Sequence, residues 1–487
     1  MKKFLVALAT VGVVAASVTG CAPASSVIPN TVLNVGQSAL ATNLNSAVSD
    51  SATAVAANQY IHELTSSGFY NLSSNGQLVA NTKFGTAKIA KSGSSNFTVA
   101  YTLSPDVKWG DGQPITAADL LVSWAAATNF GGADFNSSLR ATGLSAASKI
   151  PTISSDGLTF TATFDHAVPD WQTAVQLSVP AHLLAKNAFG LADAAKAIKR
   201  FERAVNSTDK ADLDAVASTF KKAFALSANS LSEALFFSSG AYDLKSATNT
   251  EVVLVAKKSC TWCKSAKVET VNLKFYQDPS ALDSAVKAGD VDLAEAVDTT
   301  SLPLVTLIDD VKAATGYKYT SAQSGKIEAL IINYGKKSYF ASKLVKDANS
   351  KASRMRDALL QLMPRQRLLD ALSIPIKLTR SDSFVYLSTQ AQYEADVQQN
   401  GSSKFRIQDA EKATELNAKY NHDRSDLVKV LFDANNYRES IAFNLLNAYA
   451  TSSRTPVVNS STPDVAAAIA RGKYDAYFGQ VDVLSSG

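Results

Sequence analysis

The sequence predicts an α/β protein, because segments with strand periodicity alternate with segments of helical spacing along most of its 487 residues. Residues 97–103 alternate in the way of a half-buried strand, whereas 180–226 carries apolar residues at helical spacing. Hydrophobic residues make up 46% of the chain and charged residues 18%, which is enough apolar surface for a large core. At roughly 100–200 residues per domain, the length fits two to four units.

In the first half of the chain, strands come first and a long helical region follows. We predict a strand at 31–35, followed by a loop and a helix over 38–64. Further strands are predicted at 97–103, at a segment that ends near 153, and at 158–164. Turns are expected at Asp111-Gly112 and Asp156-Gly157. Thr116 is the expected N-cap of a helix that contains the apolar run to Trp124, and Asp119 is its capping-box partner. Pro180 is placed to start the helical region that reaches Leu226.

The second half mixes strands and helices without an internal repeat. We predict strands at 251–256, 268–276, 327–333 (buried) and 428–432, a further strand that begins at 291–293, and helices at 280–288, 354–372, 437–450 and 464–471. Gly289-Asp290 ends the first of these helices, and Pro364 begins the second half of the next one.

The first twenty residues have the features of a secretion signal. The positive start Lys2-Lys3 is followed by an uncharged stretch that is short for a membrane-spanning helix, which needs about 20 apolar residues. The stretch ends in Val18-Thr19-Gly20-Cys21, which looks like a bacterial lipobox. We therefore expect removal of residues 1–20, acylation of Cys21, and a tether over 21–30. The alternative is an ordinary cleaved signal in which Cys21 is incidental.

The other two cysteines lie close together, in Cys260-Thr261-Trp262-Cys263. Outside the cytoplasm such a pair is usually a disulfide, although the same spacing occurs in redox-active and zinc-binding motifs. Zinc needs four ligands, and neither a second Cys pair nor a His pair lies nearby. The motif falls between two predicted strands rather than at a strand-to-helix junction, so a structural surface disulfide is favoured.

Charge and motif content argue against several classes of function. Lys and Arg total 47 and Asp and Glu 43, a formal net charge of +4, without a dense basic run, so no nucleic-acid partner is expected. The sequence shows no Gly-x-Ser-x-Gly elbow and no phosphate-binding glycine loop, and His62-Glu63 is not followed by the second histidine of a zinc helix. The four histidines are scattered. We expect neither an enzyme nor a bound metal or cofactor.

One long segment carries a specific family resemblance. Residues 97–124, FTVAYTLSPDVKWGDGQPITAADLLVSW, resemble the large extracytoplasmic solute-binding proteins of peptide and nickel ABC importers, solute-binding protein family 5. The matching positions are Lys108, Trp109, Asp111, Gly112, Pro114, Thr116, Ala117, Asp119, Ser123 and Trp124. Weaker matches follow in the order of the family at 44–45, 179–183, 239–242, 284–292, 356–372 and 470–476.

The resemblance implies a two-lobe, periplasmic-binding-protein-like α/β fold with an extra amino-terminal subdomain. The implied boundaries are 31–75 and 151–316 for the core of the first lobe, 76–150 for its subdomain and 317–487 for the second lobe. Because family members continue well beyond the Tyr-Asp-Ala motif at 474–476, we expect the second lobe to be incomplete. Trp109 and Trp124 could stack on a ligand, but core packing is the favoured interpretation.

The resemblance also implies which residues meet the solute. The loop after Leu44-Asn45 would place Ser49, Asp50 and Ser51 in the cleft, and the loop over 129–138 would place Phe135 or Asn136 there, an aromatic ring serving as a rigid apolar wall. An acidic residue after the Tyr-Asp-Ala strand would hold the amino group of the solute, and Asp482 is the candidate. Exposed loop residues without a ligand role are the alternative for each.

The function that follows is capture of peptides, or of another small solute, and delivery to an ABC permease and its ATPase subunits. We expect a lipid-anchored monomer on the outer face of the cytoplasmic membrane. A surface lipoprotein that senses solutes or mediates adhesion with the same fold is the first alternative. A surface hydrolase is the second alternative, and the absence of a nucleophile constellation argues against it.

Overall fold

The computed structural model describes residues 26–50, 52–73, 77–93, 96–229, 231, 238–295, 302–313, 316–318, 320, 326–372, 378–388, 390–421 and 427–482. The protein has the mixed α/β fold that the sequence predicts. The strands are β1 (Ile28–Gln37), β2 (Tyr70–Leu72), β3 (Leu78–Ala80), β4 (Gly85–Gly93), β5 (Asn96–Leu103), β6 (Thr152–Ile153), β7 (Thr159–Phe164), β8 (Tyr242–Ala247), β9 (Glu251–Ala256), β10 (Val268–Phe275), β11 (Leu293–Glu295), β12 (Lys326–Ile332), β13 (Val428–Leu431), β14 (Val457–Asn459) and β15 (Ala476–Asp482). The α-helices are α1 (Ala52–Thr65), α2 (Ala117–Thr128), α3 (Ala181–Phe189), α4 (Ala194–Ser207), α5 (Lys210–Lys222), α6 (Pro279–Ala288), α7 (Leu302–Ala313), α8 (Ser342–Val345), α9 (Lys351–Leu362), α10 (Arg365–Leu372), α11 (Tyr393–Gln399), α12 (Ala410–Tyr420), α13 (Tyr437–Ser452) and α14 (Val465–Arg471).

A five-stranded sheet organises the amino-terminal part of the chain, in the order β11-β1-β10-β9-β8. β1 pairs in parallel with β10 and β11, whereas β9 is antiparallel to β10 and β8. Helix α6 packs directly on β1 at Gly36, where a Cβ atom would lie 2.6 Å from Leu282 Cδ1 and 2.9 Å from Val291 Cγ1. Because β1, β10 and β11 run in the same direction, their carboxyl ends meet at one edge of the sheet.

A second, antiparallel sheet in the order β4-β5-β7-β6 adds a smaller layer, together with the hairpin β2-β3. Alternate residues of β5 are buried, as the period-two pattern of 97–103 predicts. The Tyr101 hydroxyl donates a hydrogen bond to Trp171 O at 2.5 Å, which ties this sheet to the segment that follows β7.

The segment that carries the family resemblance, 97–124, makes hydrogen bonds that hold α2 and α3 in place. Thr116 and Asp119 form the expected capping box of α2, with Thr116 N donating to Asp119 Oδ2 at 2.7 Å. The other carboxylate oxygen of Asp119 accepts from Ala181 N at 2.7 Å, which joins α2 to the start of α3. His182 Nε2 lies 3.0 Å from Asp111 Oδ2, so two separate motifs of the sequence meet here.

Within the described residues, buried side chains form three separate clusters. The largest runs from Val35 to Phe275 and includes Trp109 and Trp124, which confirms the core-packing interpretation of both rings. A small cluster between α6 and α7 contains Leu282. The third cluster belongs to the carboxy-terminal part of the chain.

The carboxy-terminal part is built on a four-stranded sheet in the order β12-β15-β13-β14. The inner strands β13 and β15 contribute Val428, Val430, Ala476 and Phe478 to the third cluster, where they meet side chains of α9 and α13. The predicted strand at 327–333 is present as β12, but it is half-exposed rather than buried, because it is an edge strand of this sheet.

Most predicted elements are confirmed within a few residues of their predicted bounds, and one is displaced. The strand predicted to begin at 291–293 runs from Leu293 to Glu295, because Asp292 lies in a bend in which its Oδ2 accepts from Asn34 N at 2.8 Å. The helical region 180–226 consists of three helices, α3 to α5. The hairpin β2-β3 and the strands β4, β8 and β14 are additions that the sequence analysis did not predict.

A carboxyl group in the carboxy-terminal part makes stability depend on pH. Glu439 Oε2 accepts from Asp433 N at 2.7 Å, and its Oε1 accepts from Asn436 Nδ2 at 2.9 Å. Burial, together with the charges of Asp433 and Glu328, raises the pKa of Glu439 from 4.5 to about 7. The folded state therefore binds this proton more tightly than the unfolded state. This contribution to stability is fully present below pH 4.5 and is lost as the pH rises through about 7.

We expect Glu439→Gln to remove this part of the pH dependence. Urea unfolding of the wild type and the variant, at about pH 4.5 and about pH 8, measures it. Glu394→Gln, in the first turn of α11 and exposed, is the matched control. An unchanged pH slope in Glu439→Gln would refute the assignment.

Candidate functional site

The carboxyl ends of the parallel strands β1, β10 and β11 form the edge at which open α/β sheets bind ligands. The loop 38–50 leaves the sheet here, directly after β1. An open depression of about 520 Å³ lies along the same edge. Its lining residues are Leu40, Thr250, Glu251, Lys274, Phe275, Tyr276 and Gln277.

Three buried asparagines fix the course of the loop 38–50. Asn58 Oδ1, from α1, accepts from the backbone N–H groups of Thr42 and Asn43 at 3.0 and 3.1 Å. Asn43 Nδ2 donates to Lys221 O at 3.1 Å, and Asn45 Nδ2 donates to Phe220 O at 3.0 Å. The loop is therefore anchored on α1 and on α5 before it reaches the surface.

The structure brings together two of the segments that the sequence analysis assigned to the site. Ser49 N donates to Asn136 O at 2.7 Å, and Asn136 Nδ2 donates to Ser49 O at 3.0 Å. Asn136 has a left-handed backbone, with φ 47°, and it is exposed, as is Asp50. Ser51 lies outside the described residues. These two hydrogen bonds join the loops, and Asp50 and Asn136 are exposed polar residues beside the joint.

Phe135 occupies a different environment from the exposed wall that the sequence analysis expected. The side chain is fully buried, and its ring packs edge-on against Phe220, with 5.5 Å between the ring centroids. The ring is therefore part of the largest core, because its backbone turns it inward while the following residue, Asn136, points outward.

Asp482, the expected anchor for an amino group, lies far along the chain from these loops. It is the last residue of β15, and its backbone stands opposite Lys326, the first residue of β12. Asp482 therefore lies at the end of the carboxy-terminal sheet at which β12 begins.

A polar cluster that the sequence analysis missed lies at the edge formed by β1 and β11. Gln37 and Glu295 stand opposite each other in the parallel register, and Gln37 Nε2 donates to Glu295 Oε2 at 3.3 Å. Tyr60 of α1 lies near Glu295, and burial together with the charge of that carboxylate raises the pKa of the Tyr60 phenol. Polar side chains at the carboxyl ends of parallel strands were the available signal.

Gln37 and Ser38 each bury an oxygen atom at this edge. Gln37 is 1% exposed and Ser38 is 5% exposed. Among the described residues, Gln37 Oε1 and Ser38 Oγ have no hydrogen-bond partner. Buried polar atoms are rarely left in this state, because an unpaired buried acceptor costs about 1–3 kcal/mol.

A disulfide joins Cys260 and Cys263 in the loop between β9 and β10. Trp262 Nε1 donates to Ser239 O at 3.0 Å, and Asn81 Nδ2 donates to Trp262 O at 2.9 Å, so the loop is held against two neighbouring segments. These contacts fit a structural disulfide. Cys21, the expected lipidation site, lies outside the described residues.

The described part of the chain contains neither a cluster of metal-ligating side chains nor a membrane-spanning helix. Three or more His, Cys, Asp or Glu side chains do not cluster there as metal ligands would. Across the same residues, no helix combines the length and apolar character that a membrane span requires.

Solved structures share the fold over nearly the whole chain. The periplasmic EDTA-binding protein EppA superposes with a TM-score of 0.63 at 16% identity, over 95% of this chain and 80% of that chain. The ABC transporter substrate-binding protein CtaP from Listeria monocytogenes gives 0.60 at 15% identity, over 92% and 78%. The oligopeptide-binding protein from Thermus thermophilus, complexed with a pentapeptide, gives 0.53 at 17% identity, over 92% and 77%. At these identities the likeness shows the fold, which is the two-lobe fold of periplasmic binding proteins.

Sequence comparison identifies the family. No curated protein sequence matches the chain. The profile of the middle region of the bacterial extracellular solute-binding proteins, family 5, matches residues 87–467, which include the motif at 97–124. The chain therefore belongs to the family 5 bacterial extracellular solute-binding proteins.

Proposed function

We propose that this protein is a lipid-anchored solute-binding protein of an ABC importer, which captures peptides between its two lobes and delivers them to the permease. The observation that carries the proposal is the joining of the loop 38–50, which leaves the sheet at the carboxyl end of β1, to the loop 129–138 through Ser49 and Asn136, in a member of family 5. The exposed polar residues Asp50 and Asn136 beside these loops suit the polar backbone of an extended peptide.

In this proposal the first lobe comprises 31–75 and 151–316, with a subdomain at 76–150, and the second lobe follows from 317. The first lobe contacts the solute through Ser49, Asp50, Ser51 and Asn136, and the second lobe through Asp482. Phe135 supports the loop from the core. The oligopeptide-binding protein from Thermus thermophilus was solved with a pentapeptide, and this agrees with a peptide as the solute.

Capture and transfer require no covalent step. Solute bound to one lobe favours the closed form only by the extra contacts that the second lobe makes with it. Acyl chains on Cys21 would hold the protein at the outer face of the cytoplasmic membrane as a monomer. Confinement to the membrane raises its local concentration at the permease.

Thermal unfolding in the presence of a pool of short peptides tests the proposal. At a peptide concentration about a hundredfold above Kd, binding adds about 2.7 kcal/mol to the free energy of unfolding. We expect Asn136→Gly to reduce this stabilisation, because it deletes the amide and keeps the left-handed backbone.

The matched control is Asn30→Gly, which replaces another exposed left-handed asparagine at the opposite end of β1. It should respond to peptides as the wild type does. A wild type that no peptide stabilises would exclude peptides as the solute. If both variants lost the same amount of peptide-induced stabilisation, Asn136 would not be a residue of the binding site.

A further inference from the structure

The polar cluster at the edge formed by β1 and β11 has the features of a ligand-binding subsite. It consists of Gln37, Ser38, Tyr60 and Glu295. Glu295 is exposed, whereas Gln37 and Ser38 are buried directly behind the edge. The cluster adjoins the open depression, since Tyr276 N donates to Gln37 O at 2.8 Å and Tyr276 lines the depression.

The Glu295 carboxylate is oriented by its neighbours. Gln37 Nε2 donates to its Oε2 at 3.3 Å, and Tyr60 of α1 lies close enough that, besides burial, the charge of the same carboxylate raises the pKa of its phenol. Support of this kind holds a charged group in one geometry before a ligand arrives. In the described part of the chain, no lysine, arginine or histidine forms an ion pair with Glu295.

The unpaired groups of the cluster all accept hydrogen bonds. The donation from Gln37 Nε2 to Glu295 fixes the orientation of the amide and leaves Gln37 Oε1 as an acceptor. Ser38 Oγ lies next to it in the chain and is also without a partner among the described residues. A carboxylate, an amide oxygen and a hydroxyl together match the several N–H donors of an ammonium or guanidinium group.

Glu63 is a second acidic residue near this cluster, and its charge adds to the preference for a positively charged group. Glu63 lies one turn further along α1, close enough to Tyr60 for its charge to contribute to the raised pKa of that phenol. Lys264 lies near Glu63, but its Nζ donates to Leu72 O at 3.4 Å, on the hairpin β2-β3. Glu63 and Glu295 therefore place two carboxylates near Tyr60, whereas Lys274, whose Nζ donates to Asp290 O at 2.8 Å, lines the depression itself.

We infer that Glu295, with Gln37 and Ser38 behind it, is a subsite of the first lobe for a positively charged ammonium or guanidinium group of the solute. The inference rests on the proposed function, because it assigns a preference within the same cleft. The protein would then select peptides whose amino terminus or basic side chain reaches this edge.

Calorimetric titration with three defined peptide pools tests the inference. The first pool carries one lysine and a free amino terminus, the second carries acetyl-lysine in its place, and the third has an acetylated amino terminus. We expect the wild type to bind the first pool about tenfold more tightly than at least one acetylated pool, as loss of one charge-assisted hydrogen bond would produce. Whichever acetylation matters identifies the source of the charge.

The Glu295→Gln variant should bind the first pool and the affected acetylated pool with nearly equal affinity. Glu269→Gln is the matched control, because it makes the same change on β10 of the same sheet at the opposite end, and it should keep the tenfold preference. In the wild type the preference should also weaken as salt is added.

Two results would overturn the inference while leaving peptide capture intact. One is a wild type that binds all three pools equally. The other is a Glu295→Gln variant that folds and keeps the preference of the wild type. If the wild type binds none of the pools, the proposed function fails as well, and this outcome is distinct from the other two.

Discussion

Replacing Trp124 with alanine should lower the free energy of unfolding by about 4 kcal/mol or more. The side chain is fully buried, and its ring packs against Phe130 with 4.7 Å between the ring centroids. Its Nε1 donates to Ala147 O at 2.6 Å, so the variant also leaves a buried carbonyl without this donor. Since whole domains are stable by about 5–15 kcal/mol, this change removes a large share of the total.

Denaturant unfolding followed by circular dichroism measures the loss. Trp171→Ala is the control, because Trp171 is only partly buried and meets Tyr70 at a centroid distance of 6.5 Å. Trp171→Ala should lower the free energy of unfolding by less than half as much as Trp124→Ala. Similar losses in both variants would show that Trp124 does not have the central role in the core that its burial indicates.

Replacing Asn58 with alanine should cost about 2–5 kcal/mol and should weaken solute binding as well. The side chain is fully buried and accepts from Thr42 N and Asn43 N, and its Nδ2 donates to Thr42 Oγ1 at 2.9 Å. Alanine leaves two backbone N–H groups without their acceptor, at the point where the loop 38–50 turns toward the surface. Ser49 and Asp50 would lose one of the three asparagine anchors that fix the course of their loop.

Gln59→Ala, the exposed neighbour on α1, is the control for Asn58→Ala and should change neither quantity by more than about 0.5 kcal/mol. Denaturant unfolding gives the stability, and titration with the peptide pool that stabilises the wild type gives the affinity. An Asn58→Ala variant with lower stability but unchanged affinity would contradict the positioning role of the asparagine.

Elements with strong local signals could be predicted from the sequence. Helix α6 lies within a residue of its predicted bounds, because Asp278 caps its start and Gly289 ends it in a left-handed conformation. The capping box of Thr116 and Asp119 was equally readable, since both partners lie within four residues. In each case the information is contained in one short segment.

Features set by long-range pairing could not be predicted in the same way. Gln37 and Glu295 are 258 residues apart, and only the parallel register of β1 and β11 makes them neighbours. The edge position of β12 depends on its pairing with β15, so its apolar pattern alone suggested more burial than it has.

The candidate site shows the same division. The family resemblance assigned two distant loops to one site, and in the structure Ser49 and Asn136 of these loops are hydrogen-bonded partners, while their contact with a solute stays a prediction. It could not decide whether Phe135 or Asn136 faces outward. A shift of one residue along the loop exchanges an exposed side chain for a buried one. Nor did it point to the polar cluster at the edge of the sheet.

Mass spectrometry of peptides recovered from the protein tests the central claim most directly. The purified protein is incubated with a mixed peptide pool, separated from unbound peptide and denatured, and the released molecules are identified. We expect a subset of the pool to be enriched and to be recovered with its full length. Recovery of no peptide, or of shortened fragments only, would contradict a protein that holds peptides between two lobes without cleaving them.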